Sequence, residues 1–176
     1  YGLGIIGQLT AQFCQFAGAR PVIGVDLSQW RIDHLPDRPG IIGVNAGSAD
    51  VKEAVAGATK NRMADVVFEL TGNPDVIPQE IGVLRRQGRI VILSSPISAT
   101  RSFDFHDLCN SPSITIIGAH NGSHPPVATP YNPWTPHRNT ELLFDLIAAG
   151  ELRIEHIIDE LLVVPQHVEV EDRCFR

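Results

Sequence analysis

The chain opens on Tyr-Gly-Leu-Gly-Ile-Ile-Gly, and no other short stretch restricts its fold as tightly. Gly2, Gly4 and Gly7 follow the Gly-x-Gly-x-x-Gly spacing. In that spacing the first glycine permits a tight turn, the second lets a pyrophosphate approach the backbone, and the third lets a helix pack closely on a sheet. The free N–H groups opening the helix at Ile5 and Ile6, and its positive dipole end, then face an anion. Glycine triplets also occur in ordinary turns. The spacing gains weight from a strand before it, a helix after it and an acid about 20 residues on.

The helix pattern follows at once. Ile5, Leu9, Phe13 and Phe16 recur at helical spacing, which leaves Gln8, Gln12 and Gln15 for the solvent side. The acid is present too. Arg20-Pro-Val-Ile-Gly-Val-Asp26 is a short apolar strand ending about 20 positions past Gly7. A carboxylate there accepts both hydroxyls of an adenine ribose and repels a 2′-phosphate, which predicts NAD rather than NADP. The plain alternative is a surface aspartate closing a strand at a turn. Only Tyr1 stands before Gly2, whereas the first strand of a doubly wound sheet is central and buried on both faces. The expectation is that this sequence belongs to a longer polypeptide.

With 176 residues, the chain has the length of one domain. A net charge of −6 without any basic run offers no footprint for nucleic acid. No apolar stretch reaches the roughly 18 residues of a membrane span. Cys14, Cys109 and Cys174 are far apart and odd in number, so they form neither a disulfide framework nor a Cys-x-x-Cys metal pattern. Cys14 fits a small core position. No signal peptide is visible, and a reducing cytoplasm is the expected location.

Along the chain, strands and helices alternate. After Asp26, Ser28 caps a short helix over residues 28–35 that Pro36 and Pro39 end. Residues 41–44 form a strand, and Asp50 caps a helix running to about Thr59. Residues 65–71 are a run of the kind that buried parallel strands show. A turn at Gly72-Asn-Pro leads to a helix over residues 75–86, with Pro78 in its first turn. Residues 89–94 and 114–120 form two more strands, with a helical turn at 104–109 between them. The pattern predicts an α/β fold with a doubly wound parallel six-stranded sheet in three αβα layers, a Rossmann fold. Counting the strand before the glycines as the first, the order is 3-2-1-4-5-6.

Ligands of such sheets bind beyond the carboxyl ends of the strands, where strand order reverses. The candidates at that rim are Gly2 to Gly7, Asp26, Thr71-Gly72, Leu93-Ser94-Ser95-Pro96 and Ala119-His120. Ser94 and Ser95 have a plainer use as a strand-end turn closed by hydroxyl hydrogen bonds.

Taken together, these motifs resemble the cofactor-binding half of the medium-chain dehydrogenase/reductase family, the zinc-containing alcohol, polyol and threonine dehydrogenases. The matching stretches are Gly2-Leu-Gly-Ile-Ile-Gly-Gln, Gly18-Ala, Val25-Asp-Leu-Ser with Arg31, and Asp65-Val-Val-Phe-Glu-Leu-Thr-Gly-Asn-Pro. Gly88-Arg-Ile-Val-Ile-Leu, Phe103-Asp-Phe and Ile116-Ile-Gly-Ala-His complete the set. The resemblance implies a dinucleotide-binding domain over residues 1–158 and a segment, 159–176, leading toward a catalytic domain. By the same resemblance Ile6 gives its backbone to the pyrophosphate, Asp26 holds the adenosine ribose, and Arg31 lies over the adenine side. Leu93 to Ser95 and Ala119-His120 line the nicotinamide end. The catalytic zinc and its ligands belong to a preceding domain that this sequence does not contain, and the four-cysteine zinc lobe is absent. His120 and His124 are four apart in a Gly-Ser-His-Pro-Pro loop and share no helix face.

Residues 121–136 form a Pro/Gly/Asn-rich loop holding Tyr131 and Trp134, at a position suited to a substrate wall or a subunit contact. An amphipathic helix follows over residues 138–149, with Gly150 as its stop. The resemblance also implies a homo-oligomer, dimer or tetramer. For the intact parent the expectation is NAD-dependent oxidation of a small alcohol or polyol, with this piece alone inactive. Two other classes stay open: a non-catalytic NAD-sensing module, and an S-adenosylmethionine-dependent methyltransferase with a similar glycine loop and ribose acid.

Overall fold

The structure, a computed structural model, describes residues 1–155 and residue 157. Its helices are α1 (Ile5–Phe16), α2 (Gln29–Asp33), α3 (Val51–Ala58), α4 (Ile77–Gly82) and α5 (Pro136–Ala148). Its strands are β1 (Val22–Asp26), β2 (Ile41–Asn45), β3 (Ala64–Glu69), β4 (Leu84–Ile92) and β5 (Thr115–Gly118). The helix starts follow local chemistry. Ser28 accepts from the Arg31 N–H, Asp50 from that of Glu53 and Thr135 from that of Arg138, each relieving an unpaired first-turn donor. Pro78 sits in the first turn of α4, and Gly150 takes φ 69 just past α5.

All strand pairing is parallel. β1 lies against β2 from Val22–Ile41 to Asp26–Asn45. β4 lies between β3 and β5, with Glu69 opposite Ile92 and Ile92 opposite Gly118. The single six-stranded sheet expected from the sequence does not form among the described residues. There five strands make two sheets, one of two strands and one of three. Within each sheet the neighbours follow the expected order, and Tyr1 and Gly2 bridge from β3 to β1. The Tyr1 ammonium donates to the Phe68 carbonyl at 2.9 Å, the Leu70 N–H to the Tyr1 carbonyl at 3.0 Å, and the Gly2 N–H to the Val25 carbonyl at 2.8 Å.

The larger apolar cluster belongs to the three-stranded half. Val67, Ile81, Val83, Leu84, Ile90 and Ile114 pack there with Val55 of α3. α4 is shorter than the expected helix over 75–86, because Val83 and Leu84 are drawn into this cluster and the chain turns there into β4. β4 makes a register shift as it enters the sheet.

α1 buries the opposite face from the one expected. Gly7, Gln8, Ala11 and Gln12 point inward, while Ile5, Phe13 and Phe16 are exposed. The glutamines are buried because each finds backbone partners: Gln8 Nε2 donates to the Arg31 carbonyl at 2.8 Å. Gln12 makes reciprocal bonds with the Arg153 backbone, both 2.9 Å. Small side chains at Gly7 and Ala11 then allow the close approach. α5 buries no residue, and Tyr131 in the preceding loop is fully exposed. No helix of the described residues is long and apolar enough to cross a membrane. The expected segment 159–176, including Cys174, lies outside the described residues.

Candidate functional site

The three glycines divide their work. Gly2 has φ +84, and a Cβ there would stand 2.8 Å from the Leu70 carbonyl carbon. A Cβ at Gly7 would run into the Gly2 carbonyl oxygen. At Gly4 a Cβ would meet nothing within 4 Å. Two glycines are therefore required by packing, and the middle one leaves open space. Gly4 is also the N-cap of α1, with no side chain bonding the first-turn donors and no acid in that turn. Ile5 and Ile6 follow with exposed side chains, so the opening of α1 is uncapped by the protein itself.

Asp26 closes β1 and is tied to this turn. Its Oδ2 accepts from the Leu3 N–H at 2.7 Å, and its Oδ1 from the Ser28 N–H at 2.8 Å. Arg31 on α2 holds its guanidinium 3.6 Å from Oδ2. Burial pushes the Asp26 carboxyl upward, but the two N–H donors and then Arg31 outweigh it and hold the group below the usual carboxylate range. The carboxylate stays ionised and keeps acceptor capacity, since each oxygen offers two lone pairs.

A cleft of about 730 Å³ opens beside these groups, lined by Gly2, Gly4, Asp26, Arg31 and Thr71 together with Lys52. Ile5, Ile6, Gly7, Gly72, Leu93, Ser94, Ser95, Ala119 and His120, expected at the same rim, do not line it. Gly72 and Leu93 to Ser95 belong to a neighbouring lip built on one buried acid. Glu69 is fully buried at the end of β3 and accepts from the Thr71 N–H and Oγ1, both at 2.6 Å, and from the Gly72 N–H at 3.0 Å. Ser94 Oγ donates to its other oxygen. The Glu69 carbonyl accepts from the Leu93 and Ser94 N–H groups, each at 3.1 Å. Ser95 lies beside Gly72, where a Cβ would stand 3.7 Å from the Ser95 carbonyl. The Ala119 N–H donates to Ile92, which places the end of β5 next to that of β4. His120 is exposed and its Nδ1 accepts from the Gly122 N–H at 3.0 Å, so the imidazole serves its own loop.

Sequence reasoning missed Glu69, Glu80 and Lys52. Glu69 was visible as a single acid inside an otherwise apolar strand. Glu80 on α4 is buried, with neither carboxylate oxygen hydrogen-bonded. Burial pushes its carboxyl up to about 8, opposed by the Tyr1 ammonium and assisted by Glu69. Lys52 follows the Asp50 cap and brings a positive charge to the cleft.

Among the described residues no group of three or more His, Cys, Asp or Glu side chains could hold a metal ion. A catalytic zinc takes three protein ligands, and the described residues do not fit one.

Residues 6–134 match the family described as zinc-binding dehydrogenase. The chain belongs to that family. D-guloside 3-dehydrogenase of Escherichia coli (strain K12) is 28% identical over 163 residues, which is 92% of this chain and 45% of that protein. A putative D-xylulose reductase of Rhizobium meliloti (strain 1021) is 35% identical over 96 residues, 54% of this chain and 28% of that protein. The chain thus spans under half the length of these relatives. Among solved structures, Escherichia coli quinone oxidoreductase complexed with NADPH superimposes with a TM-score of 0.68 at 20% identity, over 87% of this chain and 45% of its own. That likeness establishes the Rossmann-like α/β fold. As a zinc-binding dehydrogenase relative, the chain is an oxidoreductase-family module, and neither the methyltransferase nor the NAD-sensing alternative is favoured.

Proposed function

We propose that this chain is the dinucleotide-binding part of a dehydrogenase that moves hydride between a small alcohol or polyol and NAD. The observation that carries it most is the Leu3 N–H to Asp26 bond, which joins the glycine turn and the acid at the mouth of one cleft. The open space at Gly4 and the uncapped start of α1 suit a pyrophosphate, whose charge the first-turn N–H groups of Ile5, Ile6 and Gly7 attract. Asp26 accepts the ribose hydroxyls and disfavours a 2′-phosphate, so NAD is preferred over NADP. Arg31 borders the adenine side. Thr71-Gly72, Leu93 to Ser95 and Ala119-His120 border the nicotinamide end, where Glu69 holds the two nearer turns in place.

Bound nicotinamide supplies the hydride acceptor, and the protein's part is to bind and orient it. Residues 1–158 form the binding domain, with 159–176 as a C-terminal segment beyond it. We also assign a homo-oligomer in the cytoplasm, acting on a small-molecule alcohol. Isothermal calorimetry on the 176-residue chain tests the first step. NAD binding at least about tenfold tighter than NADP supports the assignment, a free-energy difference of about 1.4 kcal/mol. Equal affinities, or none, defeat it. Alcohol turnover by this piece alone defeats the division of labour.

A further inference from the structure

The helix α4 stands between the cleft and the larger core. Val76, Gln79 and Val83, spaced along it by single turns, line the cleft, while Ile81 and Leu84 enter the apolar cluster. Glu80 does neither. Its side chain is fully buried, and neither carboxylate oxygen has a hydrogen-bond partner among the described residues. A buried carboxylate without donors is costly, whereas the neutral acid is tolerated. Two charges act on it: Glu69 at the end of β3, of like sign, and the Tyr1 ammonium, of opposite sign. The half-buried Tyr1 phenol is itself kept neutral by burial and by Glu80. α4 packs against β3, β4 and the turns at 74–76 and 106–110, and the other charged groups there lie outward. Asp65 and Arg85 pair with each other at the surface, and Arg86 and Arg89 on β4 are exposed. So are Asp75, His106 and Asp107, and the Cys109 thiol donates to the Ile114 carbonyl.

Of the two buried acids, Glu69 is the one built to stay ionised. Its carboxylate accepts from the Thr71 N–H and Oγ1, the Gly72 N–H and Ser94 Oγ, four donors that a proton would compete with. Glu80 has none, so the proton resides there. We propose that Glu80 carries a proton in the folded chain and that dinucleotide binding is coupled to it, the cleft holding its cofactor with Glu80 neutral and losing it as Glu80 ionises. The coupling rests on the dinucleotide reading of the cleft. Two routes connect the carboxyl to the ligand, and they have the same sign. An ionised Glu80 adds negative charge beside Tyr1, which lines the cleft with Gly2 and Gly4 where the pyrophosphate enters. It also repels Glu69, which holds the turns at Thr71-Gly72 and Ser94, and it must draw in water through α4, which carries the cleft wall. Burial, opposed by the Tyr1 ammonium and assisted by Glu69, pushes the carboxyl up to about 8, so the neutral form prevails below that pH and is lost above it. A group protonated more fully in the complex than in the free protein takes up protons on binding. Glu80 lines no part of the cleft and acts as a positioning residue.

Calorimetry of NAD binding in two buffers of different ionisation heat counts the protons exchanged. The chain is expected to take up a fraction of a proton at about pH 8, and to bind NAD at least about fivefold more weakly at about pH 9.5 than at about pH 7. Glu80→Gln and Glu80→Leu cannot titrate at this position, and melting temperatures check that each folds. Both are expected to bind NAD at about pH 7 within about threefold of the parent chain, with neither the uptake nor the fall. Infrared difference spectra of the nucleotide-free parent and Glu80→Gln should show the carbonyl band of a protonated carboxyl, fading as pH rises through about 8. NAD binding without proton uptake, or absence of the band, overturns the coupling alone. Equal uptake in both variants does so too, and moves the proton to the Tyr1 ammonium. No NAD binding at any pH overturns the proposed function as well.

Discussion

The two sheets meet at Tyr1 and Gly2, yet they rest on different foundations. The three-stranded half closes around Ile90, which is fully buried, with Val67, Ile81, Val83, Leu84 and Ile114 about it. The two-stranded half buries Val22, Val25 and Val44 under Leu3 and Ile32, and Ile42 on its outer strand is exposed. Two-stranded sheets are marginal alone, and a third strand or a packed helix usually makes the difference. The lesson is that β1 and β2 owe their position to the glycine turn. Gly2 bonds Val25, Leu3 bonds Asp26, and Gln8 reaches across to Arg31.

The contrast can be broken from either side. Ile90→Ala leaves a cavity in the stronger half and is expected to lower global stability by about 2–5 kcal/mol in denaturant unfolding. Val44→Ala in the weaker half should cost clearly less, and the reverse order would refute the ranking. Gly7→Val strikes the joint itself, because its side chain meets the Gly2 carbonyl; a loss of about 1–3 kcal/mol is expected, with nucleotide binding abolished in calorimetry. Gly4→Ala sharpens the point. It should leave the melting temperature nearly unchanged while weakening NAD at least about tenfold, or about 1.4 kcal/mol.

A pH experiment separates the halves by charge. The Glu80 carboxyl has its folded value raised to about 8, so its stabilising contribution is complete below its ordinary range near 4.3 and is lost as pH rises through 8. The melting temperature should fall across that window, and Glu80→Gln should flatten the fall. The Tyr1 ammonium, with its value lowered, works in the opposite direction, so the Gln variant isolates the carboxylate. The smallest effect is expected at the exposed Arg62–Asp65–Arg85 group. Asp65→Asn should change stability by no more than about 1 kcal/mol, read by the same unfolding curves.

Much of this was legible in the residues. Ser28 and Asp50 announced helix starts through their short acceptor side chains, and the apolar runs at 20–26 and 65–71 announced the strands observed as β1 and β3. Asp26, read as the acid that ends the strand after the glycine turn, closes β1 and accepts from the Leu3 N–H of that turn. The face of α1 was not legible, because a helical pattern cannot reveal that Gln8 and Gln12 have carbonyls waiting for them on α2 and at Arg153. Nor was the divided sheet. Periodicity describes strands one at a time, and pairing depends on what lies between them. Glu69 escaped notice for a related reason: an acid in an apolar run looks like an interruption until its donors are known.

Glu69 also sets how this rim can move. One carboxylate receives the turn after β3 through one oxygen and the turn after β4 through the other. The two turns are thereby yoked, and a displacement of one is handed to its neighbour without passing through the sheet. On the opposite bank of the cleft Arg31 stands half exposed on the short helix α2.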